Sequence, residues 1–263
     1  MPTRGWHKLP TIYTTPGGAV YPLFRDMLKQ PHLLVAGATG SGKSVVINGI
    51  MATALHDPPG AQSGGKQFIL IDPKRVELVK YKPLPHTLFY ASEPPQFAPA
   101  LQLALDIIES RYRAMQAEQI TLYGGGDVYI VIDEFADLMT TQRRTVQPMI
   151  QRIAQIGRAA KVHIILATQT PITKVLPTEI KCNFDSRVGL RTRSPQDSRN
   201  ILNETGLEKL PRYGQAVYVT PERKEQIKVP YIQPDEINSL CRWWTAQAPQ
   251  QSKPRRRWFF NRR

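Results

Sequence analysis

The sequence predicts an α/β fold: a mostly parallel central sheet covered by helices on both faces, with a β-hairpin near the C-terminal end. Three observations carry that expectation. Short, continuously apolar runs alternate with helical stretches, the pattern of strands buried on both faces and linked by helical crossovers. The first run opens into a glycine-rich turn and then a helix, at residues 37–44. Two strand-like segments late in the chain are separated only by Pro221-Glu222-Arg223-Lys224.

The elements follow in order. Residues 1–30 are rich in turn formers and read as an arm with one or two short strands. Residues 31–232 read as one domain, which 263 residues can accommodate. A buried strand spans 32–36, a helix 43–55, a loop 57–66, a second strand 67–72 and a third 87–90. Ser63-Gly64-Gly65-Lys66-Gln67 superficially matches a transporter-ATPase signature, but its position some 20 residues after the first glycine-rich turn marks it as loop. Pro94 and Pro95 precede a long helix over 97–122, with Leu101, Leu105, Ile108, Tyr112 and Met115 at helical spacing. Gly124-Gly125-Gly126 stops it. A fourth strand covers 129–132, a helix 142–160, and fifth and sixth strands 162–167 and 186–191. The hairpin occupies 215–220 and 225–231. A C-terminal helix lies within 233–248, and 249–263 form a basic, aromatic tail.

Composition excludes several classes. Hydrophobic residues make up 41% of the chain, enough for a core, so a wholly disordered chain is excluded. Two cysteines, Cys182 and Cys241, 59 positions apart, exclude a disulfide scaffold or a four-ligand zinc site. No apolar run approaches membrane-spanning length and residues 1–10 lack a signal-peptide core, so the expected location is cytoplasmic. The net charge is +14, and the six cations of residues 253–263 leave +8 on the remainder. A body that basic calls for a polyanionic partner, nucleic acid or anionic lipid.

Gly37-Ala38-Thr39-Gly40-Ser41-Gly42-Lys43-Ser44 is a complete P-loop pattern between a strand and a helix. Its glycines let successive N–H groups converge on a phosphate at a helix N-terminus, where the helix dipole also favours negative charge. Lys43 can reach the β- and γ-phosphate oxygens, and the Ser44 hydroxyl can ligate Mg²⁺. The strand at 129–132 ends in Asp133-Glu134. Asp133 suits the Mg²⁺ shell, and Glu134 suits a base that orients the attacking water. The fifth strand ends in Thr168-Gln169, where Gln169 can touch the γ-phosphate or its water. No Asn-Lys-x-Asp guanine signature occurs, which favours ATP over GTP.

Five motifs in order, Pro31-His32-Leu33-Leu34-Val35-Ala36-Gly37, Ile71-Asp72-Pro73-Lys74, Ile132 to Leu138, Gly157-Arg158-Ala159-Ala160 and Leu166-Ala167-Thr168-Gln169, resemble the FtsK/SpoIIIE family of DNA translocases over residues 18–232. The resemblance implies a RecA-like P-loop ATPase that forms a homo-hexameric ring and drives double-stranded DNA through its channel with ATP and Mg²⁺. It implies that Arg158 acts as an arginine finger on the neighbouring subunit's nucleotide, and that Lys181 and Arg199 lie on DNA-contacting channel loops. The residues themselves put Arg158 at the rim end of a helix buried through Val146, Met149, Ile150 and Ile153. They also cluster Lys174, Lys181, Arg187, Arg191, Arg193 and Arg199, a set suited to phosphate contacts that need only charge. The chain departs from the cell-division members at Pro195, where they carry lysine, and at Thr170, where they carry arginine. Alternatives are a conjugative coupling or packaging ATPase and a nucleotide-switched DNA clamp; the Asp133-Glu134 pair favours turnover over a clamp. The tail's cations around Trp258-Phe259-Phe260 suit DNA phosphates, an anionic membrane surface or plain solvation.

Overall fold

A computed structural model describes residues 8–14, 21–26, 29–60 and 64–247; the tail at 249–263 lies outside the described residues. Ten strands form one sheet: β1 (Lys8–Thr14), β2 (Tyr21–Asp26), β3 (Leu33–Ala36), β4 (Lys66–Ile71), β5 (Thr87–Ala91), β6 (Asp127–Ile132), β7 (Val162–Thr168), β8 (Ser186–Leu190), β9 (Gln215–Val219) and β10 (Lys224–Lys228). Their order is β2-β1-β10-β9-β8-β3-β7-β6-β4-β5. The six strands from β8 to β5 pair in parallel, and the other four add antiparallel at one end. The hairpin β9–β10 therefore extends the main sheet, and the two strands of the N-terminal segment continue it beyond β10.

Among the described residues six α-helices accompany the strands: α1 (Lys43–Ala54), α2 (Pro94–Glu118), α3 (Phe135–Ile156), α4 (Thr178–Lys181), α5 (Pro195–Leu202) and α6 (Pro234–Gln247). Alternate strand residues feed two cores. Leu34, Ile69, Ile71, Ile130, Ile132, Ile164 and Leu166 pack with α2 and α3 on one face. Leu33, Val35, Phe68, Leu70, Val131 and Ile165 pack with α1 and α6 on the other. Among the described residues no helix is long and apolar enough to cross a membrane.

The parallel strands lie within two residues of their predicted limits, and the helices depart more. The α2 helix starts at Pro94 because Glu93 and Gln96 form a reciprocal cap and proline is tolerated in a first turn. The α3 helix starts at Phe135, seven residues before its predicted start. Phe135, Leu138 and Met139 extend its buried face across a kink at Gln142 (φ −138°, ψ 30°), which the polar run Thr140 to Arg144 disguises as a loop. It also stops at Ile156, so 157–160 form a turn. The short α4 and α5 have too few turns for a readable periodicity; α5 is set by Ser194, whose hydroxyl accepts the Asp197 N–H at 3.1 Å, with Pro195 in the first turn.

The loop expected over 57–66 ends one residue early. Lys66 opens β4 and is fully buried. Three adjacent strands begin with Lys66, Asp127 and, one residue in, His163, and these side chains meet. Asp127 accepts hydrogen bonds from the Lys66 ammonium and from His163 Nε2 at 2.9 Å. Burial alone would raise the Asp127 carboxyl, but His163 and Lys66 outweigh it and hold the group well below the usual carboxylate range. A depressed carboxyl stabilises the fold above its unfolded pKa of about 4, and that contribution is lost on acidification through the folded value. Asp127→Asn should leave the buried Lys66 ammonium with only the more distant Asp57 carboxylate at 3.7 Å and cost about 3–5 kcal/mol. A thermal melt should register this as a drop on the order of 10 °C.

Candidate nucleotide site

The C-terminal ends of the parallel strands carry the site. β3 runs into the P-loop, whose backbone turns through left-handed residues at Gly40 and Gly42 before α1 begins at Lys43. Gly42 has φ +111°, and a Cβ there would meet the Gly214 backbone at 3.2–3.3 Å. Gly42→Ala should therefore destabilise the fold by about 1–3 kcal/mol and distort the loop, which calorimetric melting with and without nucleotide would register.

A cleft of about 550 Å³ opens over this loop. Thr39, Lys43, Ser44 and Gln169 line it together with Tyr213, Gly214, Val229 and Tyr231. That volume falls in the range of small-molecule sites. Lys43 is buried, and desolvation lowers its pKa against the opposing pull of Glu134 and Asp133. Ser44 Oγ donates to Glu77 Oε1 at 2.7 Å. The Asp133 carboxyl is pushed up to about 6, first by burial and then by the neighbouring Asp72 and Glu77. Acids crowded beside a serine hydroxyl at a P-loop fit a divalent cation, which usually takes one or two protein ligands and completes its shell with phosphate and water.

Glu134 follows β6 in a left-handed backbone conformation, φ +61°, unusual for a side chain of its size. Its carboxylate is buried and fully engaged. Oε2 accepts from Lys74 Nζ at 2.9 Å, while Oε1 accepts from the Gln169 N–H at 3.1 Å and Thr168 Oγ1 at 3.2 Å. Thr39 Oγ1 donates to Gln169 Oε1 at 2.7 Å, tying the P-loop to the end of β7. Lys43, Ser44 and Gln169 thus line one cleft, with Asp133 and Glu134 close enough to act on the Lys43 charge and Glu134 bonded to the Gln169 N–H.

Arg158 does not join them. It is exposed in the turn before β7, at the opposite end of the sheet. Seven strand residues put about 20 Å between it and the cleft. Gly157 fixes that turn: a Cβ there would strike the Val162 carbonyl oxygen at 2.4 Å. None of the four cations expected to meet nucleic acid lines the cleft. Lys174 and Arg199 are exposed, on the segment after β7 and on α5. Arg193 is exposed and borders a hollow of about 420 Å³ on the outer flank of the P-loop, with Arg191 and Arg212. Lys181 turns inward, and its ammonium donates to Asn203 Oδ1 at 2.9 Å and the Asn200 carbonyl at 3.3 Å.

Sequence reasoning missed Lys74, Glu77, Tyr213 and Tyr231. The signal for Lys74 existed in Ile71-Asp72-Pro73-Lys74, but it requires knowing that β4 and β6 are neighbours, with Ile71 opposite Ile132.

The FtsK/SpoIIIE family model matches residues 5–125 and 126–173. The chain belongs to the FtsK/SpoIIIE family. It is 35% identical over 245 residues to the DNA translocase FtsK of Streptococcus pneumoniae, covering 85% of this chain and 32% of that protein. It is 33% identical over 263 residues to DNA translocase FtsK 1 of Neisseria meningitidis serogroup B, covering 87% and 32%. The chain spans about a third of the length of these curated relatives. Among solved structures, the pCW3 conjugation coupling protein TcpA superposes with a TM-score of 0.75 at 22% identity over 89% of this chain and 70% of that one. The cytoplasmic domain of the Thermomonospora curvata type VII secretion ATPase EccC gives a TM-score of 0.75 at 22% identity over 95% and 32%. These two likenesses show that the chain shares the fold of those two proteins.

Proposed function

We propose that this chain is an ATP-hydrolysing motor that works as a homo-hexameric ring and moves double-stranded DNA. The carrying observation is that Lys43 and Ser44 line one cleft with the Asp133 and Glu134 carboxylates acting on the Lys43 charge, and with Glu134 held between Lys74 and the end of β7. Lys43 offsets charge on the β- and γ-phosphates, while Ser44 and Asp133 hold Mg²⁺. When bound, that ion would supply positive charge against the negative charge that develops on the phosphates. Glu134 orients water and takes its proton, once its carboxylate exchanges the Lys74 contact for the water. Arg158, too far from its own cleft, serves the neighbouring subunit.

DNA as the track is supported by the curated relatives, which are named DNA translocases, and by the net charge of +14. Lys174, Arg193 and Arg199 are free to lie along phosphates without reading bases, whereas Lys181 reaches them only by leaving Asn203. We place the chain in the cytoplasm, with its tail as an auxiliary contact. Deleting residues after Ser252 should weaken duplex binding and flatten its salt dependence; loss of sedimentation with anionic vesicles instead assigns the tail to a membrane surface. The coupling-ATPase reading shares this chemistry and draws support from the fold of TcpA.

The test is ATP hydrolysis with and without long duplex DNA. A motor is stimulated several-fold by the duplex, by the coupling of track binding to turnover. A nucleotide-switched clamp binds the duplex with negligible turnover, and that result would overturn the proposal.

A further inference from the structure

We propose that Tyr213 and Tyr231 hold the base of the nucleotide by stacking, so that the site accepts purine nucleoside triphosphates with little regard to the polar edge of the base. The inference rests on the nucleotide-binding reading above and extends it to the part of the ligand that the P-loop does not touch.

The cleft is divided chemically. Thr39, Lys43, Ser44, Glu77 and Gln169 supply its polar groups, and they belong to the P-loop or bond to it. The lining also includes Tyr213, Gly214, Val229 and Tyr231. A nucleoside triphosphate has the same division, a polyanionic chain at one end and a flat ring with an apolar face at the other. The wall is fixed against the loop: Gly214 N–H donates to the Ser41 carbonyl at 3.3 Å, and the Gly214 carbonyl accepts from Val229 N–H at 2.8 Å. Tyr213 and Tyr231 therefore stand at a set position relative to Lys43.

Both rings are unusually open for aromatic residues at a cleft. Tyr213 is 83% exposed and Tyr231 63%. Tyr213 also holds a left-handed backbone, φ +70°, which a bulky residue adopts only where its surroundings impose it. An exposed ring beside a phosphate cradle gains by covering its face with another flat ring, and every purine offers one.

Selectivity follows from what the wall lacks. Reading a purine edge takes fixed donors and acceptors such as amides or carboxylates, and a site built that way rejects the wrong partner strongly. Among the described lining residues, Tyr213, Gly214, Val229 and Tyr231 bring no side-chain amide or carboxylate, while Glu77 accepts from Ser44 and Gln169 Oε1 accepts from Thr39, both beside the P-loop. Stacking distinguishes bases weakly.

The test measures binding of Mg-ATP, Mg-GTP and Mg-tripolyphosphate to the full chain and to Tyr213→Ala, Tyr231→Ala and Tyr213→Phe. The wild-type protein should bind ATP and GTP within about threefold of each other. Each alanine variant should lose about tenfold for both nucleotides and leave tripolyphosphate unchanged, while Tyr213→Phe keeps nucleotide affinity. A hundredfold preference for ATP overturns the inference, as do alanine variants that bind nucleotides like wild type. Equal losses for tripolyphosphate also overturn it, because the tyrosines then act through the P-loop. Failure of the wild-type chain to bind tripolyphosphate or either nucleotide is a different result: it removes the phosphate site and the proposed motor with it.

Discussion

Glu134→Gln should bind ATP as tightly as the wild-type chain and hydrolyse it about 10²–10⁴-fold more slowly. The amide keeps the shape of the side chain and can still accept from Gln169 N–H and Thr168 Oγ1, so the end of β7 stays in place. It cannot take a proton from water, and it loses the charge that pairs with Lys74 at 2.9 Å. Single-turnover hydrolysis separates the two outcomes: trapped, unhydrolysed ATP supports the base, whereas loss of ATP binding makes Glu134 a structural residue of the cleft. Lys74→Ala provides the complementary measurement. Freed from its cation, Glu134 should still support hydrolysis at unchanged nucleotide affinity.

Arg158→Ala should bind ATP normally as an isolated chain and lose about 10³–10⁵-fold in hydrolysis within the ring, the range for an arginine supplied to a phosphoryl group in trans. About 20 Å of β7 separates Arg158 from its own cleft, so an effect on turnover has to pass through a neighbour. Mixing provides the check. Rings assembled from Arg158→Ala and Lys43→Ala chains contain some interfaces at which an intact Lys43 meets an intact Arg158. Those rings should recover part of the activity that neither variant has alone. If mixed rings form and remain inactive, Arg158 is a surface residue of the α3–β7 turn.

The phosphate end of the site was legible because its chemistry dictates residue types at fixed local spacing. A loop that must curl around a phosphate needs the glycines of 37–42, and the acids ending β6 are adjacent in sequence. The order of the sheet was not legible, and neither was anything that depends on it. Lys74 meets Glu134 because β4 lies beside β6, and Lys66 is buried because β4, β6 and β7 begin side by side. A lysine after two glycines otherwise reads as solvated. Tyr213 and Tyr231 flank the hairpin, far in sequence from the P-loop, and only the backbone bonds from Gly214 to Ser41 and Val229 bring that wall to the phosphate cradle. The start of α3 was obscured for a local reason: Thr140 and Thr141 return their hydroxyls to the carbonyls of Ala136 and Asp137 at 2.8 Å, so residues with poor helix propensity sit inside a helix.

The central claim is that ATP turnover moves the chain along duplex DNA, and displacement of a third strand from a duplex track tests it most directly. A triplex-forming strand placed far from the loading end should be released by the wild-type chain with ATP. It should stay bound with Lys43→Ala or without ATP, and release should lag in proportion to the length of duplex in between. Release that is independent of that length, or hydrolysis stimulated by duplex with no displacement at any length, would contradict translocation.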